Sequence, residues 1–90
     1  MSTEQGLKMN QPKVLVVDDE AAIRDMIRFA LEHSDMQVRS AANAHEALLS
    51  INEERPDIIL MDWMMPGVSG LELTRRLRKD SLTSEIPIIM

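Results

Sequence analysis

Two short apolar runs, Val14-Leu15-Val16-Val17 and Ile58-Ile59-Leu60-Met61, contain no polar alternation, and each runs straight into acid. Unbroken aliphatic runs of this length read as strands buried on both faces, the arrangement of a parallel sheet. The first run leads into Asp18-Asp19-Glu20. The second leads into Asp62, with Pro66 and Gly67 close behind to stop the strand and turn the chain. In an open α/β sheet, ligands bind outside the carboxyl ends of the strands. Two buried strands that both end in carboxylates therefore point to one shared acidic site, provided the strands are neighbours.

The remaining pattern supplies the crossovers. Residues 1–12 are polar and aperiodic and are expected to form a loose N-terminal tail, leaving 13–90 as one small domain. After a first strand over 13–17, Ile23, Met26, Ile27, Ala30 and Leu31 recur at amphipathic-helix spacing within 21–33. A short strand over 36–41 follows. Asn43 with Glu46 three residues on has the form of a capping box, and Ala44, Ala47, Leu48 and Ile51 continue as one helical stripe. Arg55-Pro56 closes that helix, because a residue before proline avoids the α region. A third strand over 57–61, a loop over 63–69 and a helix over 70–79 come next, with Leu73 and Leu77 facing inward. A fourth buried strand is expected over 86–90. The order β-α-β-α-β-α-β predicts the α/β class, a doubly wound parallel sheet with right-handed crossovers and helices on both faces.

Composition removes several alternatives. With 44% hydrophobic and 28% charged residues the chain is an ordinary globular sequence rather than a disordered one. Its core must be aliphatic, since Phe29 and Trp63 are the only aromatics apart from histidine. The absence of cysteine excludes disulfides, thiolate metal sites and a cysteine nucleophile together. No apolar run approaches the roughly 18 residues that would suggest a membrane span, so no membrane association and a cytoplasmic setting are expected. A net charge of −5 argues against direct nucleic-acid binding by this chain and favours a divalent cation.

Asp18, Asp19 and Asp62 are the candidates for chemistry. Clustered carboxylates repel unless something neutralises them, and an all-oxygen set suits Mg²⁺. An aspartate beside such an ion can attack a phosphoryl group and form an acyl phosphate. Taken singly, each acid is better explained by capping a turn or a helix; the coincidence at two strand ends favours a shared site. His33 and His45 have no ligand spacing, and the cluster from Arg75 to Lys79 suits a solvated helix end.

The stretches Val16-Val17-Asp18-Asp19-Glu20 and Pro56 to Gly70, with Asp62-Trp63-Met64-Met65-Pro66-Gly67 at their centre, closely resemble the receiver domain of bacterial two-component response regulators. Within that family the Asp-Trp-Met pattern resembles the phosphate-regulon (PhoB-like) type. The resemblance implies a flavodoxin-like (CheY-like) fold with strand order 2-1-3-4. It implies that Asp62 is the phosphoacceptor for a sensor histidine kinase. It further implies that Asp19, Asp62 and the Met64 backbone carbonyl ligate Mg²⁺, and that Asp18 holds the ion through water. Pro66 and Gly70 would shape the loop, and the first helix with the loop after strand three would face the kinase. The family's domains also carry a fifth strand, two further helices, a Ser or Thr after strand four and a later Lys. Those positions would fall beyond Met90, so an incomplete receiver domain over 13–90 is expected, its transcriptional output domain absent, with an open strand edge through which it could form a homodimer. The implied role is a phospho-accepting signalling module rather than a turnover enzyme. A haloacid-dehalogenase-like phosphatase, which also uses a strand-end Asp with Mg²⁺, would need an acid where Met64 stands. An interaction module that keeps the fold without phosphorylation is the third reading.

Overall fold

The computed structural model describes residues 11–90, so residues 1–10 of the expected tail lie outside the described residues. Among the described residues four strands and three helices alternate: β1 Lys13–Val17, α1 Ala21–Glu32, β2 Gln37–Ala41, α2 Ala44–Glu53, β3 Ile58–Met61, α3 Gly70–Lys79 and β4 Ile88–Ile89. All pairings are parallel and the order is β2-β1-β3-β4. The expected doubly wound α/β architecture and its strand order are therefore what the chain adopts.

The topology decides which helix covers which face. From β1 the chain steps to one side to reach β2, then returns past β1 to β3 and on to β4. Right-handed crossovers in opposite directions put α1 on one face and α2 and α3 on the other. Side chains of alternate strand residues divide accordingly. Leu15, Val17, Ile59 and Met61 join Ala47, Ile51, Leu73, Leu77 and Ile86 in one continuous buried cluster. Val14 and Val16 are buried on the α1 side.

The starts of α2 and α3 each have a sequence cause, whereas Glu20 before α1 makes no side-chain cap. Asn43 Oδ1 accepts from the Glu46 N–H at 2.9 Å, while Glu46 Oε1 accepts from Ala42 N–H at 2.8 Å, one residue earlier than in a standard capping box. Ser69 Oγ accepts from Glu72 N–H at 3.2 Å and caps α3. At the far end of α3, the buried Thr83 hydroxyl donates to the Leu77 carbonyl at 2.6 Å, and Arg78 donates to the Ser84 and Ile86 carbonyls, tying the 80–86 turn to the helix.

Two expectations need correction. The fourth strand is Ile88–Ile89, shorter than 86–90: Pro87 has no N–H to give, and its carbonyl accepts from Ile59 N–H before the ladder proper starts. Ile86, although 1% exposed, is a core residue of the preceding turn and not of the strand. The third strand is not buried on both faces. Ile59 and Met61 are buried but Ile58 and Leu60 are only half-buried, because α1 lies over β1 and β2 and does not reach across β3.

Candidate functional site

The register of β1 against β3 pairs Val17 with Met61, so the next residue on each strand, Asp18 and Asp62, emerges at the same sheet edge. Backbone bonds fix this junction: Asp62 N–H donates to Val17 O at 2.8 Å and Asp18 N–H donates to Ala41 O at 3.1 Å. One carboxylate oxygen from each of Asp18, Asp19 and Asp62 lies within 4.8 Å of the others. Asp18 and Asp62 are half-buried and Asp19 is exposed. The three acids singled out in the sequence are thus brought together.

Two of these carboxylates are aimed by their own backbone. Asp18 Oδ1 accepts from Glu20 N–H at 2.9 Å, and Asp62 Oδ1 accepts from Met64 N–H at 3.2 Å. Each bond spans two residues, the local turn in which Asp is favoured. It occupies one oxygen, and among the described residues the second oxygen of each has no hydrogen-bond donor. None of the three acids forms an ion pair among the described residues. Like charges about 4 Å apart repel by roughly 1 kcal/mol in bulk water and roughly 4 kcal/mol near a protein surface. The cluster therefore has the donor set, spacing and uncompensated charge that a hard divalent cation relieves.

The loop after β3 is built around one close approach. A Cβ on Gly70 would overlap the Asp62 carbonyl oxygen and lie 2.6 Å from Trp63 Cα. Gly70 N–H donates to Trp63 O at 3.2 Å, so α3 begins directly against the site. Gly67, at φ 78°, makes the turn that returns the chain to it. Met65 is buried beneath the loop, whereas Trp63 and Met64 are 52% and 70% exposed. Those two side chains, with Asp19, Pro66 and Leu71, line an open groove of about 680 Å³ beside the acids.

One supporting residue escaped the sequence reading. Arg24 Nη1 donates to the Asp18 backbone carbonyl at 2.6 Å and holds the β1–α1 loop without neutralising the carboxylates. Its sequence signal is slight: an arginine beside the inward stripe of α1, one turn after the acids. His33 and His45 are both exposed and stand outside the acidic cluster, His33 Nδ1 lying 3.0 Å from the Phe29 carbonyl oxygen.

Comparison with known proteins gives this geometry a family. Residues 14–90 match the model of the response regulator receiver domain. The phosphate regulon transcriptional regulatory protein PhoB of Pseudomonas aeruginosa is 53% identical over 77 residues, covering 86% of this chain and 34% of that protein. The chain thus spans about a third of the length of the curated relatives it matches. Among solved structures, the chemotaxis response regulator CheY4 of Vibrio cholerae superposes with a TM-score of 0.83 at 35% identity, over 88% of this chain and 66% of that one. The response regulator TrrA of Thermotoga maritima, solved in complex with Mg²⁺-BeF, gives a TM-score of 0.75 at 35% identity over 80% and 63%. The chain belongs to the response regulator receiver domain family.

Proposed function

We propose that Asp62 accepts a phosphoryl group from a phosphohistidine on a sensor histidine kinase in a Mg²⁺-dependent reaction. The transfer would switch a transcriptional output domain that lies outside this chain. The observation that carries this reading is the convergence of Asp18, Asp19 and Asp62 from two strand ends to within 4.8 Å.

Asp19 and Asp62 would ligate the ion directly, the Met64 backbone carbonyl would add a third protein oxygen, and Asp18 would act through a bound water. Bound there, Mg²⁺ would neutralise charge on the transferring phosphoryl oxygens. The Asp62 oxygen without a donor would attack phosphorus, the phosphorus–nitrogen bond would break, and its electron pair would return to the imidazole. An acyl phosphate on Asp62 is the product. The Asp62 bond to Met64 N–H would hold the other oxygen still during transfer, a positioning effect. The exposed face of α1 and the Trp63–Met64 rim are the surfaces offered to the kinase.

The domain would catalyse only its own phosphoryl transfer and hydrolysis, as a signalling module. A cytoplasmic setting belongs to the same reading; no described helix is long and apolar enough to cross a membrane. Incubation with acetyl phosphate or a phosphorylated kinase, with Mg²⁺, should label Asp62, and the label should vanish in Asp62→Ala. Undiminished label in Asp62→Ala, or none in folded wild-type chain, contradicts the assignment.

A further inference from the structure

We propose that Arg24 is a positioning residue for the metal site: by holding the peptide between Asp18 and Asp19, it sets how tightly the acidic cluster binds Mg²⁺. This role rests on the proposed ligation of the ion by Asp19 and Asp62. Of the three acids, Asp19 has the least support. It is exposed, and among the described residues its carboxylate forms no ion pair and accepts no hydrogen bond. Asp18 and Asp62 are each aimed by a backbone N–H two residues on, at 2.9 and 3.2 Å. The direction of the Asp19 side chain therefore comes from its backbone.

Arg24 fixes that backbone. Its Nη1 donates to the Asp18 carbonyl oxygen at 2.6 Å, a short bond of the charge-assisted kind. A peptide unit is planar from one Cα to the next, so a pinned Asp18 oxygen also orients the N and Cα of Asp19. The other side of Asp18 is already held, its N–H donating to Ala41 O at 3.1 Å. The helix brings little else to this junction: Glu20 before it makes no side-chain cap, and no residue of α1 is fully buried.

Arg28, one turn further on, separates this role from a general hold on the helix. It is half-buried like Arg24 and donates Nη2 to Ser40 Oγ at 3.2 Å, so both arginines tie α1 to the sheet. The ladder between β1 and β2 keeps Ser40 opposite Val16 with or without that bond. Loss of either arginine loosens α1, but only loss of Arg24 frees the Asp18–Asp19 peptide. Charge acts in the opposite direction. A guanidinium beside three carboxylates repels an incoming cation, so its field alone predicts tighter Mg²⁺ binding once it is removed. Lost positioning predicts weaker binding.

The test is Mg²⁺ titration of the 90-residue chain and of Arg24→Gln, Arg24→Lys and Arg28→Gln, followed by Trp63 fluorescence well below each melting temperature. Melting temperatures are measured separately without metal. The glutamine side chain is too short to reach the Asp18 carbonyl, so the Arg24→Gln midpoint should rise about tenfold, the lower end of the loss when a group orienting metal ligands is removed. Arg24→Lys keeps the charge on a chain one bond shorter, so its midpoint should also rise, and it decides the matter alone where Arg24→Gln does not fold. Arg28→Gln should lower the melting temperature and leave the midpoint unchanged. An unchanged or lowered midpoint in either Arg24 variant overturns the proposal, as does a rise in Arg28→Gln as large as that in Arg24→Gln. In those cases a wild type that still responds to Mg²⁺ leaves the proposed ligand set standing. A folded wild type with no response removes the ligand set and the role of Arg24 together.

Discussion

The two faces of the sheet are packed to different standards. Under α2 and α3, Ala47, Ile59 and Leu73 are completely buried and join a continuous core that includes Ile86 and Met65. Under α1, the helix itself contributes no buried residue, and Ile58 and Leu60 of β3 are half-exposed. Of the apolar stripe expected on α1, Ile23, Ile27 and Leu31 are half-buried, whereas Met26 and Ala30 are exposed, because the helix turns only part of that stripe onto the sheet. Among the described residues one crossover serves the α1 face and two serve the other, so a single helix lies where a pair lies opposite. The acidic site straddles that division. Asp62 follows the last core residue of β3 and is pressed against the start of α3, while Asp18 and Asp19 lead into the thinly held helix.

Substitutions on the two faces should therefore differ in cost, and thermal or denaturant unfolding ranks them. Leu73→Ala empties a closed site and should cost about 2–5 kcal/mol. A loss as small as that for a surface residue would show that the α2–α3 face is not the better packed. Gly70→Ala should cost about 1–3 kcal/mol, because its methyl meets backbone rather than a movable side chain. It should also weaken metal binding by displacing the Asp62 carbonyl, and a neutral result would remove the close approach from the account. Asn43→Ala, which deletes the α2 cap, should cost about 1 kcal/mol. At the low end, Met26→Ala on α1 should stay within about 0.5 kcal/mol. A cost comparable to Leu73→Ala would mean that α1 is covered in solution by something not present in a single copy.

Much of this was legible in the residues because each local signal agreed with the others. Aliphatic runs marked the strands, Asn43 with Glu46 marked a helix start, and Pro56 marked a helix end. Strand adjacency was less so. That β1 lies beside β3 follows from pairing partners far apart in sequence, and only the family resemblance supplied it in advance. An unbroken apolar run overstates the burial of β3, because it records what a strand tolerates, not how many helices reach it. The apolar run overstates the length of β4, because Ile86 is buried in the turn before the strand, while Pro87 interrupts the donor series. At the site, the carboxylates were readable as residue types. The Arg24 bond to the Asp18 carbonyl was not, since it depends on where α1 sits over the loop.

In the proposed reaction Asp19 and Asp62 hold one cation between two strand ends. Titration of the folded chain with Mg²⁺, followed by the fluorescence of the half-exposed Trp63 beside Asp62, tests this most directly. The predicted result is a saturable change whose midpoint moves upward by at least about tenfold in Asp19→Asn, the order of loss seen even when groups that only support metal ligands are removed. No Mg²⁺-dependent change in the folded chain, or identical curves for the wild type and Asp19→Asn, would contradict it.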